Sequence, residues 1–175
     1  MKISIFRLVL YALFGALFFA VQIALAPIPN VELVSVLILV TALSYGTEIL
    51  FSIYIFAILE GLLYGFGIWW IMYLYVWTIL ALVVILLKNK GTWILWCLVL
   101  AFFGLAFGAL CSLPYLVAFG PATALAWWIE GIPYDLMHCA GNFASGLIMY
   151  KPLMFCMKQL RLLEQRRGGR PSGTA

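Results

Sequence analysis

Charge is what this sequence has least of. Only 9% of its 175 residues are Asp, Glu, Lys or Arg, while 67% are hydrophobic and the mean hydropathy is +1.16. Soluble domains carry about 25% charged residues, so a water-soluble globule is excluded and the solvent of this chain is lipid. Catalytic motifs are missing too. The sequence holds a single histidine and has no HExxH, GxSxG or paired metal motif, and no nucleotide-binding loop. It is therefore not expected to be an enzyme, no cofactor or metal is expected, and energy from ATP has to come from another chain. Cys97, Cys111, Cys139 and Cys156 have no CxxC spacing and sit in apolar runs, as packing residues do. A transmembrane barrel needs alternating apolar and polar residues, whereas Leu80 to Leu87 is apolar on every face. No inverted repeat of the kind found in secondary carriers is visible, which disfavours a self-contained carrier.

What is present is a series of apolar runs long enough to cross a hydrocarbon core of about 30 Å as helices. Six spans are expected, over Ile5 to Ala26, Val31 to Tyr45, Thr47 to Tyr64, Ile68 to Leu87, Trp93 to Val117 and Tyr134 to Met157. The breaks are marked by Pro27-Ile28-Pro29-Asn30, Tyr45-Gly46, Gly65-Phe66-Gly67, Lys88-Asn89-Lys90-Gly91 and the stretch from Phe119 to Pro133. The first run is too long for a signal-peptide core and is read as a helix. The second, at about 15 residues or about 22 Å, is short, so it either borrows depth from the preceding loop or has its ends shielded by neighbours. An all-α, six-helix domain over residues 1–158 is expected. A basic, disordered cytoplasmic tail over 159–175 is expected to follow.

Orientation follows from the positive-inside rule. With six spans, all ten basic residues fall on the cytoplasmic side: Lys2, Arg7, Lys88, Lys90, Lys151, Lys158, Arg161, Arg166, Arg167 and Arg170. The outer side receives Glu32, Glu130 and Asp135, with Glu60 close by, and no basic residue. A multi-pass protein of a bacterial plasma membrane, with both ends inside, is the expectation.

Three features stand out within the spans. Ala12, Ala16 and Ala20 recur every fourth residue and form a small-residue strip, suited either to an internal helix contact or to docking of a separate subunit. In the last span Asp135, His138 and Asn142 share one helical face. Pro133 and the helix dipole account for Asp135 as a first-turn residue. His138 and Asn142 fit either a ligand cavity or an interhelical hydrogen-bond network. The outer ends are also dense in aromatics, with Trp69, Trp70, Tyr73 and Trp77 around one connection and Trp127, Trp128 and Tyr134 near another. An interfacial belt explains part of this. The remainder lies beside Glu60, Glu130 and Asp135, an arrangement that suits stacking a flat ring or holding a cation. With no Lys or Arg on that side, a neutral or cationic ligand is favoured over a polyanion.

The six-helix size with both ends inside, the Ala12/Ala16/Ala20 strip, the turn from Pro27 to Glu32, and the segment Gly131-Ile-Pro-Tyr-Asp-Leu-Met-His with Gly141-Asn142 and Lys151-Pro152-Leu153 together resemble the S-components of energy-coupling factor (ECF) transporters. The resemblance covers residues 5 to about 157. It implies a subunit that captures a vitamin on the outer side and topples in the membrane to release it inside, without covalent chemistry. It also implies docking of the alanine strip on a membrane coupling subunit that carries two ATPases. The location of the family's pocket, combined with the chemistry of the residues, nominates Glu60, Trp69, Trp70, Trp128, Asp135, His138 and Asn142 as substrate-binding. No vitamin is singled out, and cobalamin stays open beside smaller aromatic vitamins. The rival readings are an MreD-like membrane scaffold without a ligand, and an intramembrane hydrolase using His138, which lacks a partner nucleophile.

Overall fold

The computed structural model describes residues 5–28 and 32–168; Lys2, Pro29, Asn30 and the chain from residue 169 onward lie outside them. Every regular element among the described residues is helical: α1 (Ile5–Leu25), α2 (Val34–Tyr45), a 3-10 turn (Gly46–Ile49), α3 (Leu50–Tyr64), α4 (Ile68–Tyr73), α5 (Val76–Leu87), α6 (Trp93–Cys111), α7 (Leu113–Phe119) and α8 (Pro121–Gly168). Among the described residues four stretches are long and apolar enough to cross a membrane: Ile5–Leu25, Val34–Tyr64, Ile68–Leu87 and Trp93–Phe119. The chain is thus an all-helical protein of the membrane type.

Side-chain contacts give the direction of each helix. Along α1 and α3, Tyr11 meets Ser52, Gly15 meets Ile55 and Phe18 meets Phe56, so the two run side by side in the same sense. The chain therefore reverses twice between them, once before α2 and once in the 3-10 turn. That second reversal uses Gly46, whose φ of 62° lies in the left-handed region that residues with a Cβ avoid. The 31-residue stretch Val34–Tyr64 is consequently two antiparallel helices. Likewise α8 runs against α6, since Gly108 meets Asp135, Gly104 meets His138 and Cys97 meets Gly146.

α2 is the central helix. All of its residues except Leu43 are buried, as expected of a helix that is apolar all round. At 12 residues it spans only about 18 Å. Its ends are covered by side chains from α8: His138 reaches Glu32 at one end, and the Arg161 guanidinium lies 5.6 Å from the Tyr45 ring centroid at the other. Around α2 the large aromatics interlock, with Phe56, Phe103 and Phe107 each within 5.9 Å of Trp77 between ring centroids.

The two ends of the bundle differ in charge. At one end Arg7 is hydrogen-bonded to Glu48 and Glu164, Tyr11 donates to Glu48, and Lys151 sits 4.0 Å from the Trp93 ring. Lys88 and Lys90 are in the connection leading to Trp93. The opposite end holds Glu32, Glu60 and Asp135, with no Lys or Arg among the described residues there.

Several boundaries differ from the sequence expectation. The fourth span is divided at Leu74-Tyr75, where the Tyr75 hydroxyl donates to the Leu110 carbonyl at 2.6 Å. The fifth is divided at Ser112, ahead of Pro114, which has no N–H to continue the ladder. α8 begins at Pro121 rather than Tyr134, so Pro133 lies inside a helix and Asp135 is not in its first turn. Pro133 lies on the exposed side of α8. At the far end α8 continues through Gly168, past the expected boundary at residue 158, because the Arg7–Glu164 pair and the Arg161–Tyr45 contact tie its last turns to α1 and α2.

Candidate functional site

At the acidic end, α1, α3, α4 and the start of α2 enclose a cleft of about 510 Å³. Gln22 from α1, Glu32 ahead of α2, Glu60 and Tyr64 from α3, Trp69 and Tyr73 from α4, Trp77 from α5 and Phe107 from α6 line it. α4 brings its rings there because Gly65, at φ 86°, ends α3 and lets the chain turn back. Trp70 fixes the turn by donating from its indole N–H to the Ala57 carbonyl at 2.8 Å. The rings on the wall stand nearly perpendicular to one another: Trp69 and Tyr73 at 88° with centroids 5.4 Å apart, Tyr73 and Trp77 at 81° and 5.6 Å.

The polar groups of the cleft fall into two sets. Glu32 is fully engaged, because its Oε2 accepts the Ser35 backbone N–H at 2.8 Å, capping α2, and its Oε1 accepts from His138 Nε2 at 3.2 Å. Glu60 is only 3% exposed, and its Oε1 has no hydrogen-bond partner among the described residues. The same holds for Gln22 Oε1 and for the indole nitrogen of Trp77. Buried polar atoms are paired in the great majority of cases; among the described residues six lack a partner, three on residues that line this cleft and three elsewhere, on Tyr45, Asp135 and Asn142.

Of the nominated residues, the structure brings Glu60 and Trp69 to the cleft wall. Asp135, His138 and Asn142 do share one buried face of α8, but that face meets α6 and α2 and not the cleft. Asp135 Oδ1 accepts the Gly108 backbone N–H at 2.9 Å, His138 holds Glu32, and Asn142 Nδ2 donates to Ser35 Oγ at 3.3 Å. A Cβ on Gly108 would overlap the Asp135 carboxylate, and one on Gly104 would come within 2.8 Å of the α8 backbone, so both glycines serve this close approach. His138 therefore reaches the cleft through Glu32, and Phe107, 4.8 Å away between centroids, separates its ring from the opening. Trp70 braces α3 against α4, and Trp128 is 38% exposed on α8, away from the cleft lining.

Gln22, Glu32, Tyr73 and Trp77 belong to the site without having been nominated. Gln22 was readable as a polar side chain inside an apolar span; Glu32 was not, because its placement depends on how α2 meets α8. Ala12, Ala16 and Ala20 are exposed, and the internal face of α1 is made by Tyr11, Phe14, Gly15 and Phe18. Among the described residues no group of His, Cys, Asp and Glu is arranged to hold a metal ion. Comparison of the chain with protein-family models, with curated proteins and with solved structures finds no match.

Proposed function

We propose that this chain is the substrate-capture subunit of an ECF-type importer for a vitamin or related micronutrient. In this reading it crosses a bacterial plasma membrane six times with both ends inside. The observation that carries the reading is the cleft at the acidic end, where Glu60, nearly buried and with no described partner for its Oε1, lies among aromatic walls. An unpaired buried polar group costs about 1–3 kcal/mol, and a ligand seated in the cleft would offset that cost at Glu60.

Two further features support it. The alternating helix directions put the basic residues at one end, as the positive-inside rule requires of a cytoplasmic face. The exposed Ala12/Ala16/Ala20 strip offers a flat surface on which a membrane coupling subunit with two ATPases can dock closely. The subunit would take its ligand from outside and topple in the membrane to release it, without breaking a covalent bond.

The test is mass spectrometry of the small molecules released when detergent-purified protein is denatured, set against a mock purification. A stoichiometric vitamin-type compound is expected. Release of nothing, even after incubation with a vitamin mixture, would overturn the capture role in favour of the membrane scaffold.

A further inference from the structure

We infer that the cleft selects a small organic cation, a heteroaromatic ring carrying one protonated or quaternary nitrogen, with Glu60 as its counter-charge. This rests on the capture reading and narrows it from vitamins in general to one charge and size class.

The charge balance of the wall is the first ground. Two carboxyl groups, Glu32 and Glu60, line the cleft, and no Lys or Arg does. Glu32 already has a partner on each oxygen, a backbone N–H on one and His138 on the other. Among the described residues Glu60 has none on its buried Oε1. A buried carboxylate without a partner is costly and is stabilised strongly by a cation brought to it. The nearest fixed cations of the protein are at the other end of the bundle, so the ligand is the remaining source of positive charge.

The rings are the second ground and are independent of the first. Trp69 and Tyr73, both on the cleft wall, meet at 88° and make an aromatic corner on the same wall as Glu60, with Trp77 buried behind them against Phe56, Phe103 and Phe107. Corners of this type recognise ammonium and other organic cations through the ring quadrupole.

Size is the third ground. A cleft of about 510 Å³ lies in the range that houses single small ligands, roughly 300–1,000 Å³. It accommodates one or two rings with short substituents. A complete corrinoid, with its macrocycle, amide arms and nucleotide loop, is too large to be enclosed.

The experiment is a melting and titration series on ligand-stripped protein in nanodiscs. The probes are pyridoxamine and pyridoxine, near-isosteres that differ by an ammonium in place of a hydroxyl, with thiamin as a larger cation, riboflavin as a neutral ring and biotin as an anion. The expected result is a raised melting midpoint with pyridoxamine or thiamin, pyridoxamine binding better than pyridoxine, and loss of at least about 30-fold in affinity for the bound cation in Glu60→Gln. Tighter binding of pyridoxine, riboflavin or biotin overturns the cation assignment and leaves the capture role standing. Full affinity for a cation in Glu60→Gln overturns Glu60 as the counter-charge. No shift with any probe, together with no molecule released from the purified protein, removes the capture role and this inference at once. The wild-type comparisons decide the charge class even where Glu60→Gln does not fold.

Discussion

Replacing His138 with alanine tests how the acidic end of the bundle is held. The side chains of His138 and Glu32 are 5% and 11% exposed, so the substitution strands the Glu32 carboxylate in a nearly dry place with the Ser35 N–H as its one remaining donor. Leaving a buried acceptor without its donor costs about 1–3 kcal/mol, and the space left beside Phe103 and Phe107 adds to it. Glu32→Gln removes the charge while keeping an acceptor for Ser35, so the same His138→Ala change made on that background should cost about 2 kcal/mol less. The assay is reversible unfolding in mixed micelles, by SDS titration or steric trapping, of the wild type, both single variants and the double variant. Additivity of the two changes to within about 0.5 kcal/mol would refute the claim that this pair ties α8 to α2.

Three further outcomes follow from particular contacts. Gly108→Val should destabilise by about 1–3 kcal/mol because its side chain meets the Asp135 carboxylate, whereas Gly131→Ala, with open space around it, should be neutral or stabilising by up to about 1 kcal/mol; unfolding titrations of the two distinguish them. Ala16→Trp alters an exposed position, so stability should stay within about 0.5 kcal/mol and ligand binding should be kept while uptake by the complete transporter is lost; unchanged uptake would remove the docking role of the strip. Arg7→Ala releases Glu48 and Glu164, and hydrogen exchange should then speed up in residues 161–166 and in the 3-10 turn, while the acidic end keeps its protection.

The membrane character of the chain was legible because it depends on composition, and the approximate breaks between helices were legible because Gly, Pro and Lys punctuate apolar runs. The shared face of Asp135, His138 and Asn142 was legible from helical spacing alone. What that face meets was not. Spacing along one helix says nothing of the neighbour across from it, and here the neighbours are Gly108, Glu32 and Ser35, from 27 to 107 residues away in sequence. The helical end of α8 was not legible for the same reason. A polar, basic stretch looks unstructured until Arg161 and Glu164 are seen packed on Tyr45 and Arg7.

By itself the sequence determined the solvent, the helical class and the end of the molecule that carries positive charge, since these are sums over local chemistry. Tertiary structure alone decided which of two buried carboxylates is satisfied and which faces the cleft without a partner. Glu32, just ahead of α2, accepts the Ser35 N–H locally and is held by His138 of α8, whereas no described residue supplies a donor to the buried oxygen of Glu60 within α3. Pairing in a low-dielectric interior is fixed by contacts over a few ångströms, and those contacts exist only once the helices are in place.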